Sequence, residues 1–308
     1  MNFSEEVKAE LINVKYRSDK DKRAFLSAYV RTAGSVGVRA GRVGFEISTD
    51  SRRIADYVSA VVKDLYGIDG EIKPTKKNRT TVVFIGETSE KALSDMGIIS
   101  RDESGVSVKL GAEWSVVEEE SEKVAYVRGA FLGGGSVTLP SSDGSTGTGY
   151  HLEFVFTNYR IATDFCEILS EEYFLPKLIE RKDNYIVYMK TRDEISDLLA
   201  LMQARLGVLK LAELAVEKDM KNNYNRQINC EVSNMTKQID AAVKQIRAIN
   251  RIEETVGLDR LPKEIRLVAE ARVKYKNDTM SELSEKLGIT KSCLNHRLRK
   301  IVELSEQI

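Results

Sequence analysis

The chain has 308 residues, 42% hydrophobic and 31% charged, and its 47 Lys and Arg are matched by 47 Asp and Glu. No stretch approaches the roughly 20 consecutive apolar residues that a membrane span needs. Three cysteines far apart in sequence (Cys166, Cys230, Cys293), two histidines and no Cys-x-x-Cys argue against a disulfide framework or a zinc site. The thiols are expected to be reduced and mostly buried. The size fits one oversized domain or two to three ordinary ones. The opening Met-Asn-Phe-Ser-Glu-Glu-Val is acidic where a signal peptide is basic, so a cytoplasmic location is expected. Charge is unevenly spread. Residues 221–308 hold 17 Lys and Arg against 12 Asp and Glu, a surplus of five, which leaves residues 1–220 with a deficit of five. A nucleic-acid partner is therefore expected to prefer the C-terminal part.

In chain order, a helix is expected from about Ser4. Residues 24–36 then read Ala-Phe-Leu-Ser-Ala-Tyr-Val-Arg-Thr-Ala-Gly-Ser-Val, and residues 125–137 read Ala-Tyr-Val-Arg-Gly-Ala-Phe-Leu-Gly-Gly-Gly-Ser-Val. Both small-residue apolar runs predict helices, and Gly34 and Gly135 stand 101 positions apart. The likeness continues downstream: Phe-Glu-Ile at 45–47 matches Leu-Glu-Phe at 152–154, and Arg-Ile-Ala recurs at 53–55 and 160–162, 107 positions apart. The six extra residues fall in Thr138–Gly149, a Pro/Ser/Gly/Thr-rich run that reads as an inserted surface loop.

Each copy predicts the same succession of elements. The small-residue helix is followed by a strand (about Val43–Thr49; Tyr150–Thr157) and an amphipathic helix (about Ser51–Leu65; Tyr159–Glu172). A hairpin comes next (Glu71–Lys73 with Thr80–Ile85; Lys177–Glu180 with Tyr185–Met189), then a closing helix (about Ser89–Met96; Glu194–Gln203). This order, twice, is an α+β duplication. Repeat one covers about 20–99, a linker 100–123 and repeat two about 124–205, within a domain spanning 1–220.

In the paired helices, Ala28 and Thr32 correspond to Gly129 and Gly133. Small residues at i and i+4 share one helix face and let two backbones approach closely. This pairing resembles the twin helices of LAGLIDADG homing endonucleases, whose motifs end in an acidic residue before a glycine. That position holds Ala33 in one copy and Gly134 in the other. Metal-dependent phosphodiester cleavage needs carboxylates to hold the cation between phosphate and water. A pseudo-two-fold, catalytically dead domain with no metal and no cofactor is therefore expected, and a residual metal-dependent homing-type endonuclease is the alternative. Gly133-Gly134-Gly135 lacks the Gly-Lys-Ser/Thr ending of a phosphate loop, so close helix packing accounts for it better. The hairpins carry Lys73, Lys76, Lys77, Arg79, Arg181 and Lys182, a basic set that fits either DNA contact or ordinary solvation.

From about Leu206 the chain reads as helix alone. Ile239, Val243, Ile246 and Ile249 recur at helical spacing as an amphipathic face, and Leu258–Pro262 is a break. The asparagine-rich segment 225–237 starts the helical module. Its asparagines either cap helices or join Arg226, Asn229, Asn234 and Lys237 in touching DNA. Thr279-Met280-Ser281-Glu282 is a capping box, with Leu283 and Leu287 facing inward. Gly288-Ile289-Thr290 is a turn, and Lys291–Ile301 is a second helix with Leu294, Leu298 and Ile301 inward. Helix, glycine turn, helix is a helix-turn-helix, expected at about 275–308 in an all-α domain spanning 222–308. Its second helix presents Ser292, Asn295, His296 and Arg299, with side-chain types that read base edges, while Lys291, Arg297 and Lys300 reach phosphates. Double-stranded DNA is the expected partner. A helical hairpin used only for protein contact is the other reading. His296 reads as a DNA or surface contact, since no nucleophile pairs with it for base catalysis.

Over nearly the whole chain this combination resembles the WhiA family of Gram-positive bacteria. The resemblance rests on the acid-less duplication, the run Asn-Arg-Gln-Ile-Asn-Cys-Glu-Val-Ser-Asn, Leu261-Pro262, and the terminal Gly-Ile-Thr-Lys-Ser-Cys-Leu-Asn-His-Arg-Leu-Arg-Lys. It implies a cytoplasmic, nucleoid-associated transcription regulator tied to cell division, chromosome segregation and, in spore-forming lineages, sporulation. It further implies that a C-terminal domain similar to sigma-factor region 4 binds promoter DNA. The duplicated domain would then dock a protein or modulate the DNA-binding module.

Overall fold

A computed structural model describes residues 2–39, 41–74, 79–103, 105–140 and 149–308, with Pro74 described at its backbone only. Lys76, Lys77 and residues 141–148 of the expected insertion lie outside the described residues. The chain divides into two compact units, Met1–Val216 and Glu217–Ile308.

The first unit begins with α1 (Phe3–Leu11), started by a capping box from Asn2 to Glu5. Helix α2 (Asp19–Ala33) and its counterpart α5 (Glu120–Gly134) begin the two copies, each with an acidic capping box, Ser18/Asp21 and Glu119/Glu122. Each such box satisfies backbone donors that a helix start otherwise leaves open. Both helices stop where the chain turns extended, at Gly34 and Gly135. Two strands that the small-residue runs concealed start there, β1 (Gly34–Arg39) and β7 (Gly135–Thr138). Gly-Ser-Val is thus the start of a strand in both copies and not the end of a helix. The runs are too short and too poor in large side chains to show a period of two.

In copy one, β2 (Arg42–Thr49), α3 (Arg52–Tyr66), β3 (Glu71–Pro74), β4 (Thr80–Phe84) and α4 (Ser89–Asp95) follow. The linker is more structured than expected. It holds a hairpin of β5 (Ile99–Asp102) and β6 (Gly105–Val108) and a 3-10 turn, Trp114–Val116, and it buries Val116 and Val117 in the core. Copy two repeats the order with β8 (His151–Phe156), α6 (Tyr159–Glu171), β9 (Lys177–Arg181), β10 (Asn184–Met189) and α7 (Arg192–Leu201). The two four-stranded antiparallel sheets have matching orders, β1-β2-β4-β3 and β7-β8-β10-β9. Period-two burial along β2 and β8 turns Phe45 and Ile47, then Leu152, Phe154 and Phe156, into one apolar core shared by both copies.

The seam of this core is α2 against α5. A Cβ added at Gly129 would lie 2.2 Å from the Phe25 carbonyl oxygen, and one at Gly133 would lie 2.0 Å from Thr32 Oγ1. Gly129 is therefore required by contact with the α2 backbone and Gly133 by contact with the Thr32 side chain, on the face that the i, i+4 spacing predicts.

Helix α8 (Arg205–Thr255) begins in the first unit and continues into the second. Its asparagine-rich stretch lies in the helix interior, so those asparagines do not cap helix ends, which corrects that reading. The apolar stripe is also buried only at its end. Ile239 and Val243 are 55% and 40% exposed, whereas Ile249 is 1% exposed. The cysteines are free, but Cys230 is exposed and the other two are half-buried, so the expectation of mostly buried thiols does not hold. Burial pushes the Cys166 thiol up to about 11.

Gly129→Val should cost about 3 kcal/mol, because the new side chain meets carbonyl backbone that has nowhere to move. Gly37→Val, where an added Cβ meets nothing within 4 Å, should change stability by less than about 0.5 kcal/mol. Urea unfolding followed by the emission of Trp114, the single tryptophan, reads the first unit alone. Equal midpoints for the two variants would contradict the seam.

Candidate nucleic-acid interface

The second unit closes around a small core of Ala248, Ile249, Ile252, Val268, Ala269, Leu283, Leu294, Leu298 and Ile301. After α8, a 3-10 turn (Leu258–Arg260) leads to Pro262, the N-cap of α9 (Lys263–Lys274). Helix α10 (Met280–Lys286) starts at the expected capping box. Thr279 Oγ1 accepts from the Glu282 amide, and the Glu282 carboxylate accepts from the Thr279 amide at 2.8 Å. The Thr279 amide and hydroxyl, both donating to the Glu282 carboxylate, hold that carboxyl below its ordinary range. The turn into α11 (Lys291–Glu306) passes through Gly288 at φ +65°, a conformation that strains residues bearing a Cβ. Thr290 then caps α11, its side chain accepting from the Cys293 amide at 3.2 Å.

Ser292, Asn295, His296 and Arg299 fall within about 100° of arc on α11 at 3.6 residues per turn, opposite the buried Leu294, Leu298 and Ile301. All four are exposed, as is Lys291. Among the described residues none of the five side chains has a hydrogen bond or ion pair, so the structure places no demand on them. Two residues assigned to phosphate contact are engaged elsewhere. Arg297 is half-buried and pairs with Glu264 of α9 (Nη2 to Oε2, 3.1 Å), so it ties helix to helix. Lys300 pairs with Glu303 at 3.6 Å. Glu303 and Glu306 share the outward arc beyond Arg299, so the cationic part of the face stops near mid-helix, and Lys291 stands at the helix start. That is also the end whose helix dipole favours phosphate.

Arg226, Asn229, Asn234 and Lys237 are all exposed on α8. Arg226 and Lys237, eleven residues apart, are about 20° apart around the helix, while Asn234 donates weakly to Cys230 Sγ at 3.7 Å.

Arg272 escaped the sequence reading. It is 3% exposed and donates to Gln245 Oε1 (3.0 Å) and the Asp278 carbonyl (2.7 Å), joining α8, α9 and the start of α10. Burial pulls its guanidinium below the ordinary value, opposed by Asp278. Its signal was its position, four residues after Val268 on the apolar face. Lys286 packs over the Tyr275 ring and pairs with Asp278 at 2.6 Å, which holds the ammonium above its ordinary value.

At the motif end of α5, an added Cβ at Gly134 would lie 2.8 Å from the Val155 carbonyl oxygen, so the position has no room for an acidic side chain. Directly after each final glycine, a serine of the first strand donates to the glutamate paired with it on the second. Ser35 Oγ reaches Glu46 at 3.4 Å and Ser136 Oγ reaches Glu153 at 3.3 Å. These carboxylates are already partnered by Arg39 at 2.6 Å and His151 at 2.9 Å. Among the described residues no three His, Cys, Asp or Glu converge to hold a metal. Of the hairpin cations, Lys73 pairs with Glu71 at 3.5 Å and Arg79 with Asp50 at 3.1 Å, which lowers the positive field available to DNA there.

Three family models match the chain: the WhiA N-terminal LAGLIDADG-like domain over residues 19–99, the WhiA LAGLIDADG-like domain over 123–221, and the WhiA C-terminal HTH domain over 224–305. Proteins named probable cell division protein WhiA from Thermoanaerobacter pseudethanolicus and Clostridium tetani are each 36% identical over 100% of this chain and 98% of their own length. The crystal structure of full-length DUF199/WhiA from Thermatoga maritima, 25% identical, aligns with a TM-score of 0.62 over 100% of this chain and 99% of that one.

Leu294→Ala should destabilise the second unit by about 2–5 kcal/mol through the cavity it leaves without moving the Trp114 transition. Asn295→Ala, one residue on, should change stability by less than about 0.5 kcal/mol. Far-UV circular dichroism during urea unfolding distinguishes them, and comparable losses would mean that Asn295 has a structural partner.

Proposed function

The chain belongs to the WhiA family, and on that premise we propose that it is a DNA-binding transcriptional regulator whose second unit reads promoter DNA through α11. One observation carries this reading: Ser292, Asn295, His296 and Arg299 form an exposed face that the fold leaves without partners, beside Lys291 at the helix start. Base-reading side chains must be held in place by a rigid helix and be free to exchange water for base edges. The regional surplus of basic residues supports the same polarity. In this reading Arg297 contributes by holding α11 on α9, and Arg226, Asn229, Asn234 and Lys237 are secondary contacts to DNA backbone.

The duplicated unit is in this proposal catalytically inactive, and it serves as a protein-docking or modulatory module. The occupied volume at Gly134 supports that more directly than the missing acid alone. The name carried by the relatives supports a role in cell division. Chromosome segregation, sporulation in spore-forming lineages and a nucleoid-associated cytoplasmic location are finer assignments that rest on resemblance over the whole chain.

Arg299→Ala and Asn295→Ala should each weaken binding at a cognate site by about 1–3 kcal/mol and relax specificity at one base position. Lys291→Ala should instead weaken binding to all sequences and flatten the log–log salt slope by about 0.9. Fluorescence anisotropy across a salt series reads both, and undiminished specific binding by the Asn295/Arg299 double variant would remove α11 from the interface. Supercoiled plasmid should stay intact with the pure protein in Mg²⁺ or Mn²⁺. Nicking that EDTA abolishes would favour the endonuclease alternative.

A further inference from the structure

The two copies differ most in chemistry at one corner of the first unit. Arg128 stands on α5 101 positions after Ser27 on α2, the offset that also separates Gly135 from Gly34. In copy one this corner is closed. The Ser27 hydroxyl is buried and donates to the Met96 carbonyl at 2.7 Å, Val116 and Val117 pack in, and Gly97, just after α4, leaves room for Glu113. In copy two the corner is a cavity of about 690 Å³. Arg128 lines it and is only 6% exposed. Gln203, the residue just after the α7 C-cap, also lines it and takes the left-handed φ that Gly97 takes, +66° against +69°.

Among the described residues Arg128 has no hydrogen bond or ion pair, and its Nε is buried without a partner. Arg23, Arg31 and Arg266 also bury an Nε without a hydrogen bond, but each donates through its terminal guanidinium nitrogens, Arg23 to the Ser115 carbonyl and Arg266 to Asp259. Arg31 donates to the carbonyls of Gly97 and Lys109, and Arg272 to Gln245 and Asp278. Three further cations, Lys15, Arg17 and Arg205, line the same cavity and are exposed. Burial lowers the affinity of the Arg128 guanidinium for its proton, and neighbouring Arg17 acts in the same direction, against Tyr16, Tyr57 and Asp21.

The carboxylates nearby do not complete the site. Asp21 is committed to the Arg17 amide (2.9 Å), the Ser18 amide (3.3 Å) and the Ser121 hydroxyl (2.8 Å). Glu119 and Glu120 are exposed at the rim. At the helix starts, the Glu118 and Glu119 amides are held by Glu122 and the Leu206 and Gly207 amides by Glu10. A buried, permanently charged group with no direct ion pair or hydrogen bond is costly; the Asp21 charge offsets part of that cost and the Arg17 guanidinium adds to it.

We propose that this cavity binds a small phosphorylated molecule, with its phosphate seated on Arg128 and flanked by Arg17, Lys15 and Arg205. A guanidinium fork matches the oxygens of phosphate in bidentate fashion. Four cations line the cavity against three carboxylates, of which Asp21 is engaged and Glu119 and Glu120 are exposed, a balance that suits a phosphate seated on the buried guanidinium. The cavity is within the range that holds a small organic ligand, larger than phosphate alone requires. The inference is independent of DNA binding by the second unit.

The test is calorimetric titration of the full chain with inorganic phosphate, diphosphate and ADP at constant ionic strength, with chloride as the reference anion. Saturable binding of at least one phosphate species is expected. Binding of ADP but not adenosine identifies an organic phosphate as accommodated, whereas binding of the inorganic anions alone identifies a free phosphate site. Arg128→Met should weaken that binding at least tenfold, while folding at least as stably as the wild type without anion. The exposed pair Arg17→Ala/Arg205→Ala should weaken it at least threefold and tests the site even if the Arg128 variant folds poorly. Responses no larger than those to chloride, or affinities unchanged in these variants, would overturn the assignment and leave Arg128 solvated by water alone.

Discussion

At Gly129 the backbone of α5 meets the backbone of α2 so closely that a single carbon atom would lie 2.2 Å from the Phe25 carbonyl oxygen. The rest of the first unit is organised around this approach. It sets the separation of the two helices, and therefore the pair of sheets that leave them at Gly34 and Gly135. Helix α1 is fastened to the second copy through the same region, where Ser4 Oγ donates to the Val137 carbonyl at 2.8 Å and accepts from the Val137 amide at 2.6 Å. None of this requires a carboxylate at the helix ends. A seam made of backbone and small side chains outlasts the loss of the acids, because packing and metal binding are carried by different atoms.

The second unit divides its work differently. Its core has few large side chains, so helix caps, a buried arginine and one interhelical ion pair carry a larger share of its organisation. Thr279 and Thr290 fix where α10 and α11 begin, Arg272 joins three segments, and Arg297 fastens α11 to α9. Ser292, Asn295, His296 and Arg299 take no part. Exposed residues that are idle in the free fold can change without unfolding the helix that carries them.

Duplication also gave the first unit room to diverge. Where one copy uses Ser27 and Gly97 to close a packed corner, the other places Arg128 and Gln203 around a cavity. The pseudo-two-fold survives in the sheets and the helix pair, where packing demands equivalence, and lapses at the periphery, where it does not.

Periodicity and local chemistry were enough to read the duplication, the helix pair and the helix-turn-helix, including the cap at Thr279 and the inward set Leu294, Leu298 and Ile301. These signals are short-range, since caps, turn glycines and helical spacing act within a few residues. Strands β1 and β7 were illegible, because Gly-Ser-Val has no period and is extended only through pairing with β2 and β8. The fate of charged side chains was equally hidden. Arg297 and Arg299 are two residues apart and chemically identical, yet one is spent on Glu264 and the other is free. Arg128 is one more arginine in an apolar helix until the neighbours that fail to pair with it are known. Sequence alone determined which faces are apolar, because that depends on spacing along one helix or strand; how far the stripe at Ile239 and Val243 is covered was not legible there. Tertiary structure alone decided which charges are satisfied, because their partners come from segments up to 204 residues away, as in Lys210 with Glu6.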